Sequence, residues 1–190
     1  MSRNKKLILE IAIVGVMAAL AIVLEKFSFP KGNSYLKFTF YGLPLIIVGC
    51  MYGVKVGFLT GLVSSFVMQL TSEYGLSITT PVWMLAPIAW GTVSGFAYYL
   101  FKKKNTLFYM LMVSLITSIS ATVLNTIAML VDGLAYGGDF ITSLSNILAN
   151  LPPRLVSMII LSVAYALIMV ILLNRLKFLM HEDNVEKNEE

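Results

Sequence analysis

The chain has 190 residues, of which 58% are hydrophobic and 13% charged, and its mean hydropathy is +0.83. Soluble domains carry about 25% charged residues, so this composition excludes an ordinary soluble domain and indicates a membrane protein. The single cysteine, Cys50, excludes an internal disulfide. The net charge of +4 comes from bases that flank apolar runs. It is therefore a signal of membrane topology rather than of nucleic-acid binding.

Six apolar runs are predicted to be membrane spans. They cover Leu7 to Phe27, a run ending near Gly53, Val54 to Leu70, Pro81 to Phe101, Thr106 to Val131, and Leu155 to Leu173. The second and third are short for a hydrocarbon core of ~30 Å and need a tight turn near Gly53. The predicted fold is all-α, a polytopic membrane bundle of six transmembrane helices. It forms one domain over residues 1–177, with a longer loop over Asp132–Asn150 and a charged cytoplasmic tail over 178–190.

The distribution of basic residues predicts the orientation of this bundle. With the N-terminus inside, ten of the fourteen bases lie on the inner side. These ten are Arg3, Lys5, Lys6, Lys55, Lys102, Lys103, Lys104, Arg175, Lys177 and Lys187. Because cytoplasmic loops of membrane proteins carry the excess of Lys and Arg, both termini are expected in the cytoplasm. The outer loops then carry most of the chemically useful side chains.

One basic residue, Arg154, stands at the start of the last apolar run. It follows Pro152 and Pro153 and is the only base between Lys104 and Arg175. Prolines suit the first turn of a helix, where the missing N–H groups cost little, so Arg154 is expected on that first turn, near one membrane face. A guanidinium there must face water, a carboxylate, a phosphate or a buried ligand. The alternative is that Arg154 only extends to lipid headgroups.

Two further side chains allow both a structural and a ligand-binding interpretation. Asn125 is an amide deep in the fifth span and needs a hydrogen-bond partner, either on a neighbouring helix or on a ligand. Trp83 and Trp90 are seven residues apart and share one helix face. Trp83 is near the outer end of its span, where it suits anchoring at the membrane interface or stacking against a flat ligand, anchoring being the more common use.

Small residues recur at helical spacing in three spans. Gly53, Gly57, Gly61 and Ser65 form one such ladder, and Gly91 and Gly95 repeat the spacing on the next span. These ladders predict close helix packing. Ala12, Gly15 and Ala19 line one face of the first span. Their spacing leaves open whether that face packs inside the bundle or docks a partner protein.

The sequence offers little support for catalysis. Its one histidine, His181, lies in the predicted tail, and neither a metal-ligand pair nor a phosphate-binding loop is present. We therefore expect no enzymatic activity, metal or cofactor. An ion-coupled carrier usually places a carboxylate within a span, whereas the acidic residues here lie near span ends. This pattern favours a binding subunit, with a stand-alone secondary carrier or channel for a small organic solute as the alternative.

The chain resembles the substrate-binding S component of energy-coupling factor (ECF) vitamin transporters, over nearly its whole length. The matching stretches are Tyr35–Phe40 with Leu43-Pro44, Met51–Gly53, Asn125-Thr126, Tyr136-Gly137 and Pro153–Leu155. Within the group it looks most like the branch for folate, pantothenate and hydroxymethylpyrimidine. The resemblance implies capture of a vitamin outside the cell and docking on a transmembrane T component driven by two cytoplasmic ATPases. The family docks through two alanines four apart on the first helix, and the matching positions here hold Gly15 and Ala19.

A ligand site is expected at the outer end of the bundle, between the first loop, the loop between the third and fourth spans, and the start of the sixth helix. Its expected residues are Lys37, Tyr41, Gln69, Tyr74, Trp83, Asn125, Asn150 and Arg154. Lys37 and Arg154 would bind the carboxylate of pantothenate or folate, and a helix N-terminus at Arg154 would strengthen that anion site. A neutral hydroxymethylpyrimidine would instead require Gln69, Asn125 and Asn150.

Overall fold

The structure, a computed structural model, describes residues 3–27, 39–72, 75–102 and 104–186, with side chains described from residue 4 to 175 of these ranges. The described residues form helices α1 (Arg3–Lys26), α2 (Gly42–Tyr52), α3 (Val54–Leu70), α4 (Thr80–Trp83), α5 (Leu85–Leu100), α6 (Leu107–Ala135) and α7 (Phe140–Glu186). Only Met84 separates α4 from α5, and its N–H still donates to the Thr80 carbonyl at 3.1 Å. Pro87 has no N–H to offer the Trp83 carbonyl, which explains an interruption here. Counted as one broken helix, α4 and α5 complete the predicted all-α bundle of six helices, which is confirmed.

Helix α5 occupies the centre of the bundle. It packs against α2, α3 and α6, while α1 packs against α2 and α3, and α7 packs mainly against α6. The short helix α2 is buried from Pro44 to Cys50. Its 11 residues are too few to cross a membrane alone. The predicted tight turn after it is present, at Gly53, whose φ of 85° favours glycine.

The glycine ladders are the seam along which α5 meets α2 and α3. A Cβ added at Gly57 would collide with the backbone carbonyl of Gly91, and one added at Gly91 would collide with the carbonyl of Gly57. Gly49 on α2 meets Gly91 in the same way. The ladders therefore serve close packing, as predicted, because only hydrogen fits between these backbones.

The outer surface of the bundle is strongly apolar. Large aliphatic side chains such as Ile8, Val16, Ile160 and Ile171 are more than half exposed, which suits lipid rather than water. Three described segments are long and apolar enough to cross a membrane: Asn4–Lys26, Leu107–Ala135 and Phe140–Arg175. Several buried hydroxyls in the helices donate to their own backbone, as Thr117 does to the Val113 carbonyl at 2.7 Å.

The predicted long loop over Asp132–Asn150 is wrong. Helix α6 runs to Ala135 and α7 begins at Phe140, so only four residues connect them. Gly137 has a φ of 83°, and the N–H of Gly138 reaches the Gly133 carbonyl at 2.9 Å. This is a Schellman ending, which turns the chain within one residue of the helix. The glycines thus mark a single compact helix end rather than an extended loop.

The predicted start of the last helix is also wrong. Pro152 and Pro153 lie inside α7, and Arg154 stands fourteen residues after Phe140 rather than on a first turn. The prolines leave the carbonyls of Leu148 and Ala149 without their usual helical donors. The helix is held despite this loss by packing against α6. A helix dipole cannot therefore be counted as part of an anion site at Arg154.

Helix α1 presents its small residues outward. Ala12, Gly15 and Ala19 are all exposed, whereas Ala18 and Ala21 are buried. Among the described residues, no atom beyond the adjacent backbone of α1 lies within 4 Å of the Cβ position at Gly15. The face that holds the three small residues is therefore not an internal seam of this bundle. The backbone of α7 continues through Glu186, and the domain boundary at residue 177 stays a prediction.

The glycine seam generates a test of the fold. Gly57→Ala and Gly91→Ala should each destabilise the protein by roughly 1–3 kcal/mol, the usual cost of overpacking, because backbone atoms must separate. Gly15→Ala is the matched control, since its side chain enters open space and alanine favours a helix by up to about 1 kcal/mol over glycine. Thermal unfolding in detergent would compare the three. A Gly57→Ala protein that melts at the wild-type temperature would contradict the close backbone contact.

Candidate ligand-binding site

A cavity of about 720 Å³ lies among the helices, with walls from α1, α3, α6, α7 and the interrupted α4–α5 helix. Six of the eight predicted binding residues line it: Tyr41, Gln69, Trp83, Asn125, Asn150 and Arg154. The other two, Lys37 and Tyr74, lie outside the described residues. The structure thus brings the six together from five separate segments of the chain, and their role in binding stays a prediction. No group of three potential metal ligands occurs within the described ranges.

Arg154 supplies positive charge to the cavity. Its side chain is part-buried, and its Nη1 lies 2.9 Å from the sulfur of Met129. A thioether is a weak acceptor, while a guanidinium has five N–H donors in a fixed fork. Among the described residues, Arg154 forms no ion pair with a carboxylate. The guanidinium therefore retains donors that a ligand can use.

Aromatic side chains form one wall of the cavity. Tyr41, Trp83 and Trp90 all line it, and the Tyr41 hydroxyl lies close to the side chains of Trp90 and Asn125. The Trp90 ring meets Tyr165 edge to face, with centroids 5.6 Å apart. Tyr165 in turn donates to the Thr39 carbonyl at 2.6 Å. These contacts hold the wall in place and tie the segment before α2 to α7.

Trp83 is oriented by a carboxyl group rather than left free. Its indole N–H donates to Oδ1 of Asp132 at 3.3 Å, and the Thr79 hydroxyl donates to the same oxygen. Asp132 lies near the end of α6, so these two contacts join α6 to both ends of the short helix α4. Because the polar edge of the indole is already satisfied, the ring face is what Trp83 offers to the cavity. The predicted choice between interface anchoring and stacking is not decided by this contact.

The polar groups on the α6–α7 side are partly satisfied within the protein. The Asn150 amide donates to the Asn146 carbonyl at 2.7 Å. The Ser162 hydroxyl donates to that of Ser118 at 2.8 Å and so links the two helices. Asn125 lines the cavity and is only part-buried, so its amide is accessible to a ligand. The structure therefore places Asn125 where both of its predicted uses remain available.

Sequence reasoning did not assign several cavity residues to the site. The main ones are Glu25, Trp90, Ser118, Thr122 and Met129. Trp90 carried a usable signal, because it shares a helix face with Trp83. Glu25 could have been found from its place at the outer end of the first predicted span, beside loops already expected to bind the ligand. The serine, threonine and methionine positions look like ordinary packing residues of a membrane helix, so no signal marked them.

An all-helical membrane bundle around a cavity with one basic side chain and an aromatic wall has the architecture of a solute-binding membrane protein. The family model of the ECF transporter, substrate-specific component, matches residues 9–180. The chain belongs to this family. It is therefore a vitamin-type binding subunit of a transporter, and members of this family are not enzymes. The predicted family is confirmed, whereas the branch within it stays a prediction.

Solved structures agree with this fold. The S component of a bacterial ECF transporter superposes with a TM-score of 0.61 at 22% identity, covering 94% of this chain and 99% of that chain. ThiT from Listeria monocytogenes gives a TM-score of 0.60 at 20% identity, covering 84% of this chain and 94% of that chain. At these identities the likeness concerns the fold alone. A comparison with curated protein sequences finds no significant match.

Proposed function

We propose that this protein binds a water-soluble vitamin or vitamin precursor that carries a carboxylate, with pantothenate or folate favoured, and delivers it to an ATP-driven ECF module. The observation that carries the proposal is Arg154, which lines the cavity without a carboxylate partner among the described residues. A part-buried guanidinium is costly unless it is paired. A ligand carboxylate would accept two parallel N–H bonds from its fork.

The rest of the cavity suits the body of such a ligand. Its volume of about 720 Å³ falls within the roughly 300–1,000 Å³ range of small-molecule sites. Tyr41, Trp83 and Trp90 provide apolar ring faces, and Asn125 provides both a donor and an acceptor. The competing ligand is a neutral hydroxymethylpyrimidine bound by Gln69, Asn125 and Asn150, because these three amides also line the cavity.

Substitution of Arg154 tests the charge argument. Arg154→Ala should weaken binding of the cognate vitamin by about 1.5–3 kcal/mol, the usual range for a hydrogen bond to a charged group. Arg175→Ala is the matched control, since Arg175 is an exposed base on the same helix and lies outside the cavity lining. Isothermal titration in detergent with pantothenate, folate and hydroxymethylpyrimidine would measure both. Unchanged affinity in Arg154→Ala would return Arg154 to the role of a headgroup anchor.

The exposed small-residue face of α1 supports the proposed delivery step. Ala12, Gly15 and Ala19 form an exposed strip of small residues on the surface of the described bundle, and small residues let another helix approach closely. We propose that this strip docks the T component, whose two cytoplasmic ATPases hydrolyse ATP. The chain itself would supply no nucleotide site and no cofactor.

Bulky substitutions on α1 separate docking from binding. Gly15→Trp and Ala19→Trp should abolish ATP-dependent uptake and leave vitamin affinity of the isolated subunit unchanged, because both positions point away from the cavity. Ile160→Trp, at an exposed position on α7, is the control for a bulky residue at the lipid surface. Uptake would be followed in vesicles with the complete transporter. Uptake that persists in vesicles without ATPases would instead favour a stand-alone secondary carrier.

The spacing of two arginines supports the proposed orientation. Arg154 and Arg175 are 21 residues apart on α7, which corresponds to about 30 Å of helix, close to the thickness of a hydrocarbon core. We propose a multi-pass protein of the cell membrane with both termini cytoplasmic, Arg175 at the inner face and Arg154 near the outer one. This orientation opens the cavity toward the outside.

Cysteine labelling tests the orientation, and the buried Cys50 gives a low background. An impermeant maleimide should label Thr142→Cys in intact cells, because Thr142 is exposed near the start of α7. It should label Thr106→Cys, exposed at the start of α6, only after permeabilisation. The reverse pattern would show that the bundle is inserted the other way.

A further inference from the structure

The cavity contains a negative group as well as a positive one. Glu25, next to last in α1, lines the same cavity as Arg154. Its side chain is three-quarters buried, with 25% exposed. The Tyr41 hydroxyl lies within electrostatic range of both charged groups. The two charges come from opposite ends of the chain, α1 and α7, and are brought to one cavity by the fold.

The carboxylate of Glu25 is incompletely satisfied by the protein. Its Oε2 is buried and has no hydrogen-bond partner among the described residues. The ammonium of Lys26 lies 3.3 Å from this oxygen and is half exposed, and one of its three N–H groups donates to the Thr71 carbonyl at 3.0 Å. Lys26 therefore balances part of the charge as an ion-pair partner, while no described group makes a well-directed hydrogen bond to Oε2. A buried carboxylate oxygen without a donor costs free energy that a ligand donor would recover.

We propose that Glu25 is a ligand-binding residue that accepts hydrogen bonds from N–H groups of the vitamin. The inference rests on the proposed function, in which a carboxylate of the same ligand binds Arg154. One anionic group cannot serve both residues, because Glu25 would repel it. The ligand must therefore be bipolar, with an anionic group at Arg154 and a donor group at Glu25.

This polarity distinguishes between the two favoured vitamins. Folate carries an amino-substituted heteroaromatic ring with adjacent N–H donors, and a carboxylate accepts two parallel bonds from such an edge. Its flat ring can also stack on the wall formed by Tyr41, Trp83 and Trp90. Pantothenate has hydroxyl and amide donors but no ring and no amino edge. Glu25 together with the aromatic wall therefore selects a ligand with an amino-heterocycle, of which folate is the available probe.

The experiment measures binding of folate and of pantothenate to the full-length protein in detergent by isothermal titration. Glu25→Gln preserves shape and removes the charge, and it should weaken folate binding roughly tenfold to a hundredfold, the equivalent of a charge-assisted hydrogen bond. Lys26→Met is the matched control. It breaks the same ion pair from the other side, yet should leave folate affinity within about threefold of wild type, since Lys26 is half exposed and does not line the cavity. Thermal unfolding of each variant would verify that it is folded.

The outcomes separate this inference from the proposed function. Equal losses in Glu25→Gln and Lys26→Met would mean that Glu25 acts only through its ion pair with Lys26, and would overturn the inference. Loss in Arg154→Ala with no loss in Glu25→Gln would overturn it too, while supporting the carboxylate site. Loss in Glu25→Gln with no loss in Arg154→Ala would support binding by Glu25 and overturn the carboxylate site. A folded wild-type protein that binds pantothenate but not folate would overturn the bipolar ligand.

Discussion

Direct backbone contact between α3 and α5 is the constraint on which the rest of the bundle depends. Gly57 and Gly91 each occupy the space that a Cβ of the other would need. This contact sets α5 at the centre, from which it reaches α2, α3 and α6. Trp90, one residue before Gly91, thereby enters the cavity wall, and Pro87 and Trp83 follow on the same side. The close contact between Gly57 and Gly91 thus determines where the aromatic wall of the cavity lies.

The glycine seam could be predicted from the sequence, whereas the form of α7 could not. Small residues four apart in an apolar helix usually indicate close packing against another helix, so the glycine ladders predict this seam. Pro152-Pro153 allows two predictions. Proline suits the first turn of a helix, and it also occurs inside membrane helices, where neighbouring helices compensate for the lost backbone hydrogen bonds. The choice depends on whether residues 140–151 pack against α6. Ser143 and Ile147, buried in that segment, are too few to show a helical period on their own.

The candidate site also contains residues that the sequence predicts and residues that only the structure reveals. Arg154, Asn125 and Trp83 were recognised because each is unusual in an apolar span and demands a partner. Glu25 was not, because a carboxylate beside a lysine at a span end is ordinarily solvated. Its special position comes from tertiary structure, where the end of α1 reaches α3 and Lys26 caps the Thr71 carbonyl. Because this contact joins residues 45 apart in sequence, the local pattern could place Glu25 beside the expected site but could not show that its carboxylate is buried there.

The same arrangement places opposite charges in one cavity without pairing them with each other, since Glu25 pairs with Lys26 and Arg154 contacts Met129. Arg154 and Glu25 do not pair with each other among the described contacts, and aromatic and amide side chains line the cavity with them. A direct ion pair would satisfy both groups and leave the cavity with little affinity for a polar solute. Separated charges instead leave each group hydrogen-bonding capacity that faces the cavity. Retaining this polarity inside an apolar bundle costs stability, and the extensive packing of α5 and α6 offsets that cost.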